Sequence, residues 1–165
     1  MIREATEGDA AEIAKIYNYY ILNTVATFEE ESVDASDIYL RMKKVKESGF
    51  SWLVAENNGV VIGYAYSSKW KDRAAYGNTA EVSLYLSDME KSQGWGTRLY
   101  DVLFSKLRSQ SIHIVIGGIT LPNQASIAIH EKYGMHKAAH FKEVGYKFGR
   151  WLDVGYWQVQ LNTSL

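Results

Sequence analysis

The chain has 165 residues, a length that suits one domain with a single core, in which roughly 70% of the unfolded surface is buried. With 47% apolar and 22% charged residues it falls outside the disordered and collagen-like classes, and a formal net charge of −1 leaves no basic footprint for nucleic acid or a membrane surface. The absence of cysteine excludes disulfides, thiolate metal ligands and a cysteinyl acyl intermediate. No apolar run approaches the length of a spanning helix, and Met1-Ile2-Arg3-Glu4 opens no apolar signal region, so a cytoplasmic location is expected.

In chain order, residues 2–5 read as a short strand. Thr6 then caps a helix, with Asp9 in the capping-box position and Ile13, Ile16, Tyr17, Tyr20 and Ile21 on one face. A second helix is expected over 34–47, burying Ile38, Met42 and Val45 and stopping at Gly49. Strands over 50–56 and 60–70 flank Asn57-Asn58-Gly59, a hairpin signal. In a strand over 80–86, Val82, Leu84 and Leu86 share one face, while Glu81, Ser83 and Tyr85 share the other. A helix over 95–110 buries Leu99, Val102, Leu103 and Leu107. A β-branched strand follows over 112–116, then a helix over 123–133 ending at Gly134. Two last strands, 136–144 and 154–161, are expected around a loop at 145–151. The sum is one α+β domain without repeats or linkers.

The chemistry starts at Leu84-Tyr85-Leu86, which runs into Lys91-Ser92-Gln93-Gly94-Trp95-Gly96-Thr97. A strand enters a loop with two glycines, and the loop opens a helix. Glycine permits close backbone approach to a bulky anion, and the free N–H groups and helix dipole then hold a phosphate or pyrophosphate. A plain tight turn at a helix start gives the same letters. Neither a Walker loop nor a dinucleotide fingerprint is present, since the Gly-Lys-Ser/Thr and the third glycine are missing.

Downstream stand Leu121-Pro122-Asn123-Gln124-Ala125-Ser126 and His130-Glu131-Lys132-Tyr133-Gly134-Met135. With the glycine loop, these make the chain resemble the GNAT superfamily of N-acetyltransferases, and within it the phosphinothricin and methionine sulfone (sulfoximine) acetyltransferases. The resemblance runs through Ile16-Tyr17-Asn18, Trp52-Leu53-Val54-Ala55-Glu56, Gly63-Tyr64-Ala65-Tyr66, Trp70-Lys71-Asp72-Arg73 and Thr79-Ala80-Glu81. It ends in the aromatic block Tyr146-Lys147-Phe148-Gly149 and Trp151-Leu152-Asp153-Val154-Gly155-Tyr156-Trp157-Gln158. Lys91 departs from the family, which has Gln or Arg there.

The resemblance implies a single N-acetyltransferase domain over residues 1–165. Its mixed, mostly antiparallel central sheet would be flanked by helices and splayed at the acetyl-CoA site. It also implies acetyl-CoA as co-substrate, a small-molecule amine, direct attack in a ternary complex, no metal and a homodimer. The pantetheine arm would pair with Leu84, Tyr85 and Leu86. The pyrophosphate would lie on Lys91, Ser92, Gln93, Gly94, Trp95, Gly96 and Thr97. Asn123 and Ser126 would touch the cofactor; on residue type alone they are an N-cap and a first-turn residue.

Glu81 is the candidate base, since an ammonium substrate must lose a proton before attack; alone, a strand glutamate on a solvated face reads the same. His130 stands where many relatives have a tyrosine that protonates the leaving thiolate, and it either serves as that acid or orients the thiol or a water. Lys71 and Arg73, with Tyr76 and Thr79, would meet the carboxylate and second oxygen group of an amino-acid analogue. Phe28 packs either on substrate or in the core. His113, His136 and His140 show no metal-ligand spacing. Two rival readings remain, a protein or peptide amine acetyltransferase and a non-catalytic acetyl-CoA sensor.

Overall fold

The first hairpin follows directly from its turn. Asn58 and Gly59 both adopt left-handed backbone (φ 50° and 80°), the twist that joins two antiparallel strands without splaying them. They connect β2 (Trp52–Asn57) to β3 (Val60–Lys69). A computed structural model describes residues 1–161; the last four residues of the expected domain lie outside the described residues. The remaining elements are β1 (Ile2–Glu4), α1 (Ala10–Asn23), α2 (Ala35–Glu47), β4 (Thr79–Leu86), α3 (Trp95–Ser109), β5 (Ile114–Leu121), α4 (Gln124–Lys132), β6 (His136–Lys147) and β7 (Arg150–Gln160).

The strands form one seven-stranded sheet in the order β1-β2-β3-β4-β5-β7-β6. Every neighbouring pair is antiparallel except β4 with β5. This is the α+β GNAT-type sheet expected above. Its two faces are separate cores. Leu99, Leu103 and Leu107 of α3 are fully buried against Leu53, Ala65 and Val82 on one face. Ile13 and Ile21 of α1 and Ile38 of α2 pack against Val54 and Tyr64 on the other. Val102, expected to be buried, is only partly so, as is Tyr20 on the packed face of α1. No described helix is long and apolar enough to cross a membrane.

The Thr6–Asp9 cap is where residue type placed it, and α2 opens with a cap of its own. Asp34 and Asp37 accept reciprocally from each other's backbone N–H at 2.8 and 3.0 Å, starting α2. The Asp9 carboxylate accepts from the N–H and the hydroxyl of Thr6 at 2.8 and 3.0 Å. The turn it caps is a short 3-10 segment, Glu7–Asp9, that leads into α1. Arg3 then joins Asp9 (2.8 Å) to Glu56 (2.7 Å), tying β1 to β2 and to the start of α1.

Strand ends shift by one or two residues in several places, and β5 and the last hairpin differ from expectation by more. β3 ends at Lys69, so Trp70 lies just outside it. β5 runs on to Leu121 because β7 pairs along its entire length, so Gly117 and Gly118 do not break it. At the C-terminal end the loop expected over 145–151 shrinks to Phe148 and Gly149. Both take left-handed backbone (φ 51° and 72°), and the strands pair up to Lys147 and Arg150.

Candidate active site

Between β4 and β5 the sheet comes apart. The parallel ladder pairs Thr79 with Ile114, Ala80 with Val115 and Glu81 with Ile116, and stops there. Beyond it, residues 82–86 pair as a strand with β3 alone and residues 117–121 with β7 alone among the described residues, and the Leu86 carbonyl also accepts from the Tyr20 hydroxyl at 2.6 Å. Two strand edges therefore face each other with unsatisfied N–H and C=O groups, and such groups need a partner. A cavity of about 610 Å³ fills the wedge. An extended chain of amides fits that demand.

The glycine loop closes one end. Ser92 and Gly94 both have left-handed backbone (φ 64° and 81°). The backbone N–H groups of residues 92–97 find no acceptor among the described residues. A nest of free N–H groups running into the start of α3 is an anion site. At the start of α4, Asn123 Oδ1 accepts from Ser126 N–H at 3.1 Å, and both residues line the same cavity. They are N-cap and first-turn residue, and cavity wall as well.

Glu81 lines the cavity at the last rung of the ladder. Burial raises its carboxyl above the ordinary glutamate range, as expected of a carboxylate with little water around it. The Tyr156 ring covers Gly118, so closely that a Cβ there would sit 3.0 Å from Cε1. Burial, then the Glu81 charge, raises the Tyr156 phenol, which puts the two groups in one local field. Trp70 packs edge-on to Tyr156, with ring centroids 5.4 Å apart.

His130 is 5% exposed. Its Nδ1 lies 2.6 Å from the Ser126 carbonyl and its Nε2 lies 3.1 Å from the Tyr100 hydroxyl. A carbonyl only accepts, so Nδ1 carries a proton, and in the neutral ring Nε2 accepts from Tyr100. Burial lowers the His130 pKa, partly offset by the Ser126 bond.

The cavity thus brings together Glu81, Leu84, Tyr85, Leu86, Lys91, Ser92, Gly94, Gly96, Thr97, Asn123, Ser126 and His130. Gln93 is exposed, with its amide directed to Met89 O, and Trp95 is buried in the core under Arg98. Phe28 packs directly on Gly145 and stays partly exposed. Lys71 and Arg73 line a separate cavity of about 270 Å³ with Gly49 and Gln110. Tyr76 is exposed, and Thr79 sits at the start of the ladder. The register explains the separation. Lys69 pairs with Ala80, so the connection leaves β3 and re-enters β4 just before Glu81, and folds outward toward the ends of α2 and α3. Lys71 stays within 5.4 Å of the Trp70 ring, one aromatic layer from Tyr156.

Residue type alone did not single out Tyr100, Gly118 and Thr120, which also line the cavity. The available signals were a tyrosine one helical turn after Gly96 and two glycines inside a strand, where close approach is the usual reason.

The acetyltransferase (GNAT) domain matches residues 2–155 of this chain. The chain belongs to the GNAT acetyltransferase family. It is 37% identical over 161 residues to the L-amino acid N-acyltransferase MnaT of Escherichia coli, covering 98% of this chain and 94% of that one. It is 35% identical to an L-methionine sulfoximine/L-methionine sulfone acetyltransferase of Salmonella typhimurium, again covering 98% and 94%. A GNAT superfamily phosphinothricin acetyltransferase from Sinorhizobium meliloti, solved with acetyl-CoA, superposes with a TM-score of 0.94. That pair is 34% identical, covering 98% of this chain and 88% of the other. As a GNAT N-acetyltransferase the chain uses acetyl-CoA, and the unpaired strand edges and free N–H groups suit its pantetheine amides and pyrophosphate. Among the described residues no cluster of three or more metal-ligating side chains occurs.

Proposed function

We propose that this GNAT acetyltransferase transfers the acetyl group to the free amine of a small amino-acid analogue of the phosphinothricin, methionine sulfoximine or methionine sulfone type. The observation that carries the reading is a half-buried carboxylate, Glu81, at the point where the sheet opens, lining the same cavity as His130. The names of the relatives supply the substrate class. Glu81 takes a proton from the ammonium directly or through water. The amine then attacks the thioester in a ternary complex, and an unpaired β4 N–H near Leu84 or Leu86 stabilises the developing oxyanion. Thioester consumption with a panel of amines tests this. Turnover of the three analogues, with little activity on aminoglycosides or lysine peptides, is expected. Failure of all three with brisk turnover of a lysine peptide would replace this reading with the peptide one. No turnover of any amine, with acetyl-CoA still bound, would leave the sensor.

Arg73 is the proposed partner of the substrate carboxylate and Lys71 of its second oxygen group; their loop lines the second cavity and is anchored by Trp70 beside Tyr156. Arg73→Ala is expected to raise the KM for the amine by roughly 10-fold or more, the scale of one charge-assisted hydrogen bond. An unchanged KM would assign Arg73 to the second cavity alone.

The same reading includes a homodimer. The β6–β7 hairpin exposes Phe141, Val144, Tyr146, Phe148 and Trp151, each more than 50% accessible, an apolar surface of the kind two-fold interfaces cover. Light scattering is expected to give a dimer mass at micromolar concentration, and a monomer mass would refute it.

A further inference from the structure

We propose that Tyr100 is a positioning residue for the acetyl transfer, acting through His130. Its hydroxyl holds His130 as a neutral imidazole with the proton on Nδ1, so the ring is a fixed wall of the acetyl-transfer cavity rather than the acid of the reaction. The inference rests on the reading of His130 as a residue of the acetyl-transfer site.

The geometry fixes the proton on Nδ1, and the surroundings decide the other nitrogen. The Ser126 carbonyl, 2.6 Å from Nδ1, has only lone pairs, so Nδ1–H donates. Nε2 of the neutral ring is then an acceptor, and the one donor it meets is the Tyr100 O–H at 3.1 Å. Tyr100 is fully buried, and His130 is its hydroxyl's one hydrogen-bond partner among the described residues. The ring cannot turn to escape this pairing. It lies on the bare backbone of Gly117 in β5, where a Cβ would sit 2.7 Å from both Cδ2 and Nε2. The groups around it are Tyr100 from α3, the Ser126 carbonyl from its own helix, and Gly117 with Met135 on the β5 side. Among the described residues no carboxylate or cation bonds to it, so none of them favours an imidazolium. Burial acts in the same direction.

Tyr100 also links the two walls of the wedge. It follows Gly96 by one turn of α3, the helix whose start carries the free N–H groups, and reaches His130 on α4. A phenylalanine would keep the packing on Phe104 and Tyr133 yet leave Nε2 buried with no donor.

The test uses the full-length protein with acetyl-CoA and a turned-over amine. Tyr100→Phe is expected to lower kcat by about 10-fold while the KM for acetyl-CoA stays within about two-fold, the scale of one lost orienting hydrogen bond. In a His130→Ala background the same change is expected to cost nothing further. Nitrogen-15 NMR of the wild type is expected to show His130 as the neutral Nδ1–H tautomer throughout the working pH range. An imidazolium, or a proton on Nε2, overturns the proposal even if Tyr100→Phe fails to fold. So does an unchanged kcat in Tyr100→Phe, or a loss of equal size in both backgrounds, which marks a merely structural tyrosine. If His130→Ala itself keeps full kcat, the reading of His130 falls and this proposal with it, while the acetyltransferase reading, resting on Glu81, is untouched.

Discussion

Glu81→Gln is expected to lower kcat by about 100-fold or more and to leave coenzyme A affinity within about two-fold, the pattern for removal of a general base. Glutamine has the same shape, and the backbone at this position is fixed on both sides, to Ser68 in β3 and Ile116 in β5, so the cavity keeps its form. The pH profile provides a second readout. The base works only when ionised, and burial raises its pKa, so kcat/KM falls as pH drops through that raised value. The acid limb therefore lies above the ordinary glutamate range and is absent in the glutamine variant. Wild-type turnover in Glu81→Gln, or an acid limb that persists unchanged, would remove Glu81 from the mechanism.

Much of the fold was legible because local signals and packing agree. Asp34 and Asp37 cap α2, Asn58 and Gly59 turn the first hairpin, and the 3.6-residue spacing of Leu99, Leu103 and Leu107 marks the buried stripe of α3. The second half of β5 was not legible, because Gly117 and Gly118 are weak strand formers in isolation. Pairing with β7, tens of residues away in sequence, holds them extended. The turn at Phe148 and Gly149 was lost for a related reason: an aromatic in left-handed backbone is atypical, and the long hairpin on either side imposes it.

Within the site, the glycine loop and the Asn123 cap were legible as local features, and only the family resemblance tied them to a cofactor. The substrate side depends on which way a loop folds, and sequence neighbours of Glu81 such as Lys71 and Arg73 turn toward another cavity. Tyr100 was hidden because a buried helical tyrosine looks like core until its hydroxyl partner is known.

Gly96→Val is expected to raise the coenzyme A dissociation constant on the order of 100-fold, the scale of losing one or two charge-assisted hydrogen bonds. The sequence suggests a glycine that lets a pyrophosphate come close. Packing adds a second requirement. A Cβ at this position would lie 3.0 Å from Ile129 Cδ1 and 3.1 Å from Leu84 Cδ2, so the first turn of α3 is pressed against both β4 and α4. Valine adds two further methyls into that contact, and overpacking of this kind costs about 1–3 kcal/mol. Relief comes by moving the turn away from Leu84 and Ile129, which re-aims the free N–H groups of Trp95, Gly96 and Thr97 proposed to hold the anion. Gly94→Ala is the control. That position has open space around its Cβ but left-handed backbone, so alanine strains the loop by roughly 1 kcal/mol without displacing the helix, and a smaller loss of affinity follows. Calorimetric titration with coenzyme A, with melting temperatures of both variants, separates the two effects. A folded Gly96→Val protein with unchanged affinity would place the anion site somewhere other than the start of α3.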